Sequence, residues 1–124
     1  MSARNIRVFI VDDQPHARKR LFIFLEEVDD LEWVGEAENG IIAVTLVERL
    51  QPQVVLMDLQ MPIMGGLTAT RILRQKFPHI QIIIVTSLVD AEVFQKTKAA
   101  GAYTCLSKDD TMDTLAETIR TAIG

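Results

Sequence analysis

Val54-Val55-Leu56-Met57-Asp58-Leu59-Gln60-Met61-Pro62-Ile63-Met64-Gly65-Gly66 decides how the chain folds. Its first four residues are uninterruptedly apolar and follow the punctuation of Pro52. Such a short run reads as a strand buried on both faces. It stops at a carboxylate. A proline and two adjacent glycines then rule out a helix interior, so residues 61–66 form a loop. Residues 67–76 read as a helix with Ala69, Ile72 and Leu73 inward, ended by Pro78.

The same unit recurs on either side. Upstream, Ile6 to Val11 is a compact apolar run that ends at Asp12-Asp13. Pro15 opens a helix, a favoured first-turn position for proline. Ala17, Leu21, Phe24, Leu25 and Val28 form one stripe along it. Leu31 to Ala37 is a weaker strand, broken by Glu32 and Glu36. Asn39-Gly40 turns into a helix carrying Ile42, Ala43, Leu46, Val47 and Leu50. Downstream, Ile82 to Val85 stops at Thr86, and a helix over residues 91–100 is closed by Gly101. A short strand over residues 103–106 ends just before Lys108. The last helix, capped by Asp110 or Thr111, carries Met112, Leu115, Ala116, Ile119 and Ile123.

Five strand–helix pairs in succession predict an α/β fold: a flavodoxin-like (βα)5 doubly wound parallel sheet in three α/β/α layers. The continuous apolar runs belong in the middle and the glutamate-bearing second strand at an edge, which fits strand order 2-1-3-4-5.

A chain of 124 residues is the size of one domain, and 48% hydrophobic with 24% charged residues excludes disorder as its main state. A net charge of -4 speaks against direct binding of a nucleic-acid backbone. The single cysteine, Cys105, cannot form an internal disulfide. Residues 1–5 lead straight into the first strand with no signal-peptide pattern, and no apolar run approaches the roughly 18 residues of a membrane span. A cytoplasmic setting with no membrane partner is the expectation.

In doubly wound folds the ligand crevice lies beyond the carboxyl ends of the strands. Here those ends carry Asp12-Asp13, Asp58, Thr86 and Lys108. A single aspartate at a strand end is usually a cap or turn former, but an acid pair, a third acid, a hydroxyl and a lysine on four strands are not explained that way together. Carboxylates crowded to 4 Å repel by about 4 kcal/mol per pair at an effective dielectric near 20. They either take up protons or bind a cation, and an oxygen-only set suits Mg²⁺ or Mn²⁺. A cation, an ammonium and a hydroxyl together would neutralise a phosphoryl group, so Asp58 reads as a carboxylate nucleophile that forms an aspartyl-phosphate.

With these residues in place the sequence resembles the receiver domain of bacterial two-component response regulators over essentially its whole length. The motifs are Val11-Asp12-Asp13, Met57-Asp58-Leu59-Gln60-Met61-Pro62 with Gly66, Val85-Thr86-Ser87, Gly101-Ala102 and Lys108. The resemblance implies a single receiver domain over residues 1–124, in which Asp58 accepts a phosphoryl group from a sensor histidine kinase or a small phosphodonor. It implies Mg²⁺ (or Mn²⁺) ligation by Asp13 and Asp58, with Asp12 acting through water and the Gln60 backbone carbonyl completing the set. Lys108 pairs with the phosphate. Thr86 moves toward it and shifts the face built by the fourth helix, fifth strand and fifth helix, which promotes homodimerisation or releases an output domain. The chemistry is autocatalytic, a switch and not a turnover enzyme. Gly35-Glu36-Ala37 with Asn39-Gly40, and Lys108-Asp109, resemble NarL-type regulators, which usually carry a C-terminal helix-turn-helix domain that controls transcription. The chain is then either a stand-alone receiver or one cut at the linker.

Some positions depart from that pattern. Receivers usually place an aromatic switch residue three positions before the lysine, and Cys105 stands there. Tyr103, two residues earlier, shares its face if the strand alternates regularly, and is the candidate substitute. Gln60 and Leu88 occupy the positions that flank the hydrolytic water, and apolar Leu88 predicts slow self-dephosphorylation. Phe22 lies off the first helix's stripe as an exposed aromatic, Trp33 reads as cover for that helix, and His16 and His79 lack metal-ligand spacing. Three other readings stay open. A haloacid dehalogenase-type phosphatase needs a second acid where Gln60 stands, a nucleotide-binding module needs a phosphate-cradling loop that is absent, and a degenerate receiver would serve only as an interaction module.

Overall fold

A computed structural model describes residues 5–124; the leader reading of residues 1–4 lies outside them. Among the described residues ten elements alternate: β1 (Ile6–Val11), α1 (Pro15–Glu27), β2 (Leu31–Ala37), α2 (Gly40–Leu50), β3 (Val54–Met57), α3 (Gly66–Lys76), β4 (Gln81–Thr86), α4 (Ala91–Ala100), β5 (Thr104–Ser107) and α5 (Met112–Ile123). The strands form one parallel sheet in the order β2-β1-β3-β4-β5, as the apolar runs predict. Pairing of β1 with β2 shifts register once, because Val8 faces Trp33 and Phe9 faces Gly35, leaving Val34 unpaired.

Alternation along the three inner strands feeds two cores. Phe9, Val11, Val55, Met57, Ile82 and Ile84 point to one face, where Ala43 and Val47 of α2, Ala69 and Leu73 of α3 and the partly buried Val93 of α4 cover them. Val8, Ile10, Val54, Leu56 and Ile83 point to the other, under Phe24 and Leu25 of α1 and Leu115, Ala116 and Ile119 of α5. Each fully buried large side chain here contributes roughly 1.5–3 kcal/mol. Gly35 lies where a Cβ would meet Leu50 Cδ1 at 2.9 Å and Phe9 Cε1 at 3.0 Å, so β2 packs closely under α2 and a larger residue there would make these two side chains shift.

Helix ends follow local chemistry. Pro15 opens α1, Asn39 caps α2 by accepting from Ile42 N at 2.9 Å, and Gly101 ends α4 in the left-handed region at φ 107°. Thr111, and not Asp110, caps α5; Asp110 accepts from Ser107 N instead.

Three expectations need correction. Ile42 and Ile123 are exposed, at 36% and 39%. The buried stripe of α2 runs Gly40, Ala43, Val47, and Ile42 lies about 100° around the helix from Ala43. In α5 the stripe runs Leu115, Ile119, Ala122, which leaves Ile123 on its flank. Phe22 is not exposed. It is half-buried, with its ring edge-to-face on Trp33 at 5.2 Å between centroids. Trp33 covers α1 through this contact.

Candidate functional site

The sheet's hydrogen bonding runs one residue past the strand ends and sets the site. Asp12 N donates to Ala37 O at 3.1 Å and Asp58 N to Val11 O at 2.9 Å, which places Asp12 and Asp58 side by side. Across the sheet Lys108 N donates to Thr86 O at 2.8 Å, so the lysine and the threonine are joined through main chain.

The side chains converge. Asp12, Asp13 and Asp58 each offer a carboxylate oxygen, and the three oxygens lie within 4.8 Å of one another. Lys108 Nζ sits 2.9 Å from Asp12 Oδ2 and 3.4 Å from Asp58 Oδ2. Asp12 Oδ1 accepts from Gln14 N, and Asp58 Oδ1 from Leu59 N, at 2.9 and 2.8 Å. Asp12 and Asp58 are buried, Asp13 half-buried. Burial and then the Asp12 charge push the Asp58 carboxyl above its ordinary pKa, against the pull of Lys108 and the Leu59 amide. Burial works against the Lys108 ammonium, but its hydrogen bond to Asp12 and the charges of Asp58 and Asp12 outweigh it, and the lysine is raised. One cation faces three acids in a partly dry pocket. That donor set, all oxygen and short of positive charge, fits a hard divalent cation.

The cleft above it is open, and Gln60, Thr86 and Ser87 also line it. Gln60 is exposed and Thr86 is buried at the end of β4. The β3–α3 loop is pulled in tightly. Gly66 N donates to Leu59 O at 2.9 Å, and a Cβ on Gly66 would lie 2.0 Å from Asp58 O. Gly40 N donates to Met64 O at 3.0 Å, tying the loop to α2. At the loop's tip Ile63 takes φ 72°, a left-handed conformation that costs a β-branched residue strain.

Tyr103 and Cys105 do not share a face. Tyr103 precedes β5, so strand alternation does not govern it. It packs against the α1/α5 core, with its carbonyl accepting from Lys98 Nζ at 2.7 Å. Cys105 packs into the opposite core, opposite Ile84 in the ladder, and burial pushes its thiol pKa up. Leu88 is 67% exposed, and His16 and His79 are both exposed. Sequence reasoning missed Arg18. From α1 its Nη1 donates to Asp12 O at 2.7 Å and its Nε to Glu36 Oε2 at 3.0 Å. The Gly35-Glu36-Ala37 motif was the signal, but nothing in the sequence pairs Glu36 with a helix residue.

A family model described as the response regulator receiver domain matches residues 8–120. The transcriptional regulatory protein LiaR of Bacillus subtilis is 38% identical over 117 residues, covering 94% of this chain and 56% of LiaR. The response regulator domain of Thermotoga maritima CheB superposes with a TM-score of 0.91 at 30% identity, over 97% of each chain. The signal receiver domain of the response regulator NarL from Mycobacterium tuberculosis gives 0.91 at 25% identity, over 98% of this chain and 99% of that one. The chain spans about half the length of the curated relatives it matches.

Proposed function

Because this chain belongs to the response regulator receiver family, we propose that it is a phosphoacceptor switch in a two-component pathway, with Asp58 as the residue modified. The observation that carries the reading is the convergence of Asp12, Asp13, Asp58 and Lys108 on one open cleft. An Asp58 carboxylate oxygen attacks the phosphorus of a phosphohistidine. The new O–P bond forms as the P–N bond breaks, and the leaving imidazole takes a proton from solvent. Asp12, Asp13, Asp58 and the Gln60 backbone carbonyl are the groups that would hold Mg²⁺ or Mn²⁺, which when bound neutralises charge on the phosphoryl oxygens. Lys108 gives up part of its pairing with Asp58 and takes a phosphoryl oxygen instead. Thr86 donates its hydroxyl to another.

Phosphorylation adds nearly two negative charges and three acceptors at the strand ends. Thr86 then biases the α4–β5–α5 face toward a second conformation. With Cys105 in the usual aromatic position and Tyr103 on the other side of the sheet, the bias passes through β4 and β5 main chain more than through a swinging ring. The phosphodonor is a sensor histidine kinase and the output is transcription, through an attached or separate domain and homodimerisation. The names of relatives such as LiaR support that output. The reading places the switch in the cytoplasm; no helix among the described residues is long and apolar enough to cross a membrane.

Incubation with acetyl phosphate and Mg²⁺ tests this. The wild type should gain the mass of one phosphoryl group and Asp58→Asn should not. No mass gain in the wild type, and no binding of beryllofluoride, would refute the proposal.

A further inference from the structure

Arg18 reaches from the first turns of α1 to two acceptors. Its Nη1 donates to the backbone carbonyl of Asp12 at 2.7 Å and its Nε to Glu36 at 3.0 Å, with side-chain exposures of 17% and 34% for the pair. On the other side of the same residue, Asp12 N donates to Ala37 O. Asp12 is thereby gripped at both its peptide groups by one short segment of β2, directly at N–H and through Arg18 and Glu36 at C=O. We propose that Arg18, held by Glu36, is a positioning residue that pre-sets the Asp12–Asp13 carboxylates for a divalent cation. The inference deepens the reading of the pocket given above and rests on it.

The peptide between Asp12 and Asp13 is planar, so fixing the Asp12 carbonyl also fixes the plane from which the Asp13 side chain departs. Asp12 has a second tether of its own, from its carboxylate to Gln14 N. The carboxylates repel one another before a cation arrives, and a loop free to relax would spread them. A loop already held spends less of the cation's binding energy on reassembly.

The sign of the effect separates this role from two simpler ones. Arg18 is itself a cation. Acting only through its charge it would weaken cation binding, and its removal would tighten it. Acting only as a brace for the fold, its removal would lower the unfolding midpoint and leave the affinity of the folded protein alone. Acting as a positioning residue, its removal weakens cation binding.

Mg²⁺ is titrated calorimetrically into wild type, Arg18→Leu, Arg18→Lys, Glu36→Ala and Glu36→Gln, with thermal unfolding of each in EDTA. Arg18→Leu should weaken Mg²⁺ binding by about tenfold, the low end for outer partners of metal ligands. Arg18→Lys should not restore it, because one ammonium cannot replace a fork that serves two acceptors. Glu36→Ala should weaken binding, Glu36→Gln should retain most of it, and Arg18→Leu with Glu36→Ala should be no worse than Arg18→Leu. Unchanged or tighter Mg²⁺ binding by Arg18→Leu overturns the proposal. If that variant does not fold, unchanged affinity in Glu36→Ala overturns it. A wild type that binds no Mg²⁺ refutes the cation reading itself, a result distinct from equal binding by wild type and variant.

Discussion

Replacing Asp58 by asparagine should make the metal-free protein more stable at neutral pH. The Asp58 oxygen lies within 4.8 Å of those of Asp12 and Asp13, where an effective dielectric near 20 gives about 3.5 kcal/mol of repulsion per pair. Against this, Lys108 at 3.4 Å supplies about 5 kcal/mol of attraction on the same scale. The ionised carboxylate is therefore about 2 kcal/mol worse off than a neutral group, before burial adds its share. Asparagine keeps an oxygen for the Leu59 amide, and Lys108 keeps Asp12 at 2.9 Å. A gain of about 1–2 kcal/mol, or about 4–8 °C in midpoint, is expected at pH 7 in EDTA. The folded pKa of Asp58 is raised, so the protonated form favours folding. That benefit is complete below the unfolded value near 3.9 and is lost as pH rises through the folded one. The advantage of asparagine should therefore be full at pH 7 and shrink as pH falls toward about 4. Mg²⁺ at a hundredfold excess over its Kd should stabilise wild type by about 2.7 kcal/mol and close the gap. Calorimetric or circular-dichroism melts at several pH values measure all three. An asparagine variant that is less stable at pH 7, or equally advantaged at pH 7 and 4, would show that the crowding argument is wrong.

Thr70 is fully buried on α3 and its hydroxyl has no partner, so Thr70→Val should stabilise by about 1 kcal/mol in urea unfolding; a loss would mean that the hydroxyl is satisfied. Gly66→Ala would drive a Cβ into the Asp58 carbonyl, and a cost of about 3 kcal/mol or more is expected in the same assay, with an unchanged midpoint counting against the tight loop. Leu88 is exposed and cannot orient water, so Leu88→Glu should shorten the lifetime of the phosphorylated form by roughly tenfold, worth about 1.4 kcal/mol of barrier, at unchanged stability. Phosphate release after removal of the phosphodonor reads this directly, and an equal lifetime would exclude Leu88 as the cause.

Much of the sheet was legible because three inner strands buried on both faces leave an unambiguous apolar signature, and the edge glutamates of β2 mark its place. The helix stripes were readable in their middles and misread at their ends, where Ile42 and Ile123 fall beside the line of Ala43 and Ile119. In a helix's first and last turns an apolar residue meets too little neighbouring surface for its character to imply burial. The acids and lysine could be grouped in advance because a parallel sheet delivers all its carboxyl ends to one edge. Tyr103 could not be placed, since alternation holds only inside a ladder and that residue lies just before one. Arg18 escaped because its two acceptors are a main-chain carbonyl and a glutamate on another strand, neither of which leaves a spacing in sequence.

Val34, the residue left over between β1 and β2, has an effect larger than its size. Side chains on a strand have a parity, and one supernumerary residue inverts it for everything downstream. Leu31 and Trp33 look toward α1, and after Val34 it is Glu36, level with Ile10, that does so, while Ala37 turns with Val11 toward α2. A β2 that kept Val34 inside a regular ladder, with no bulge to absorb it, would exchange these two. Ala37 would face the guanidinium, and a carboxylate would be pressed into the hydrocarbon beneath α2.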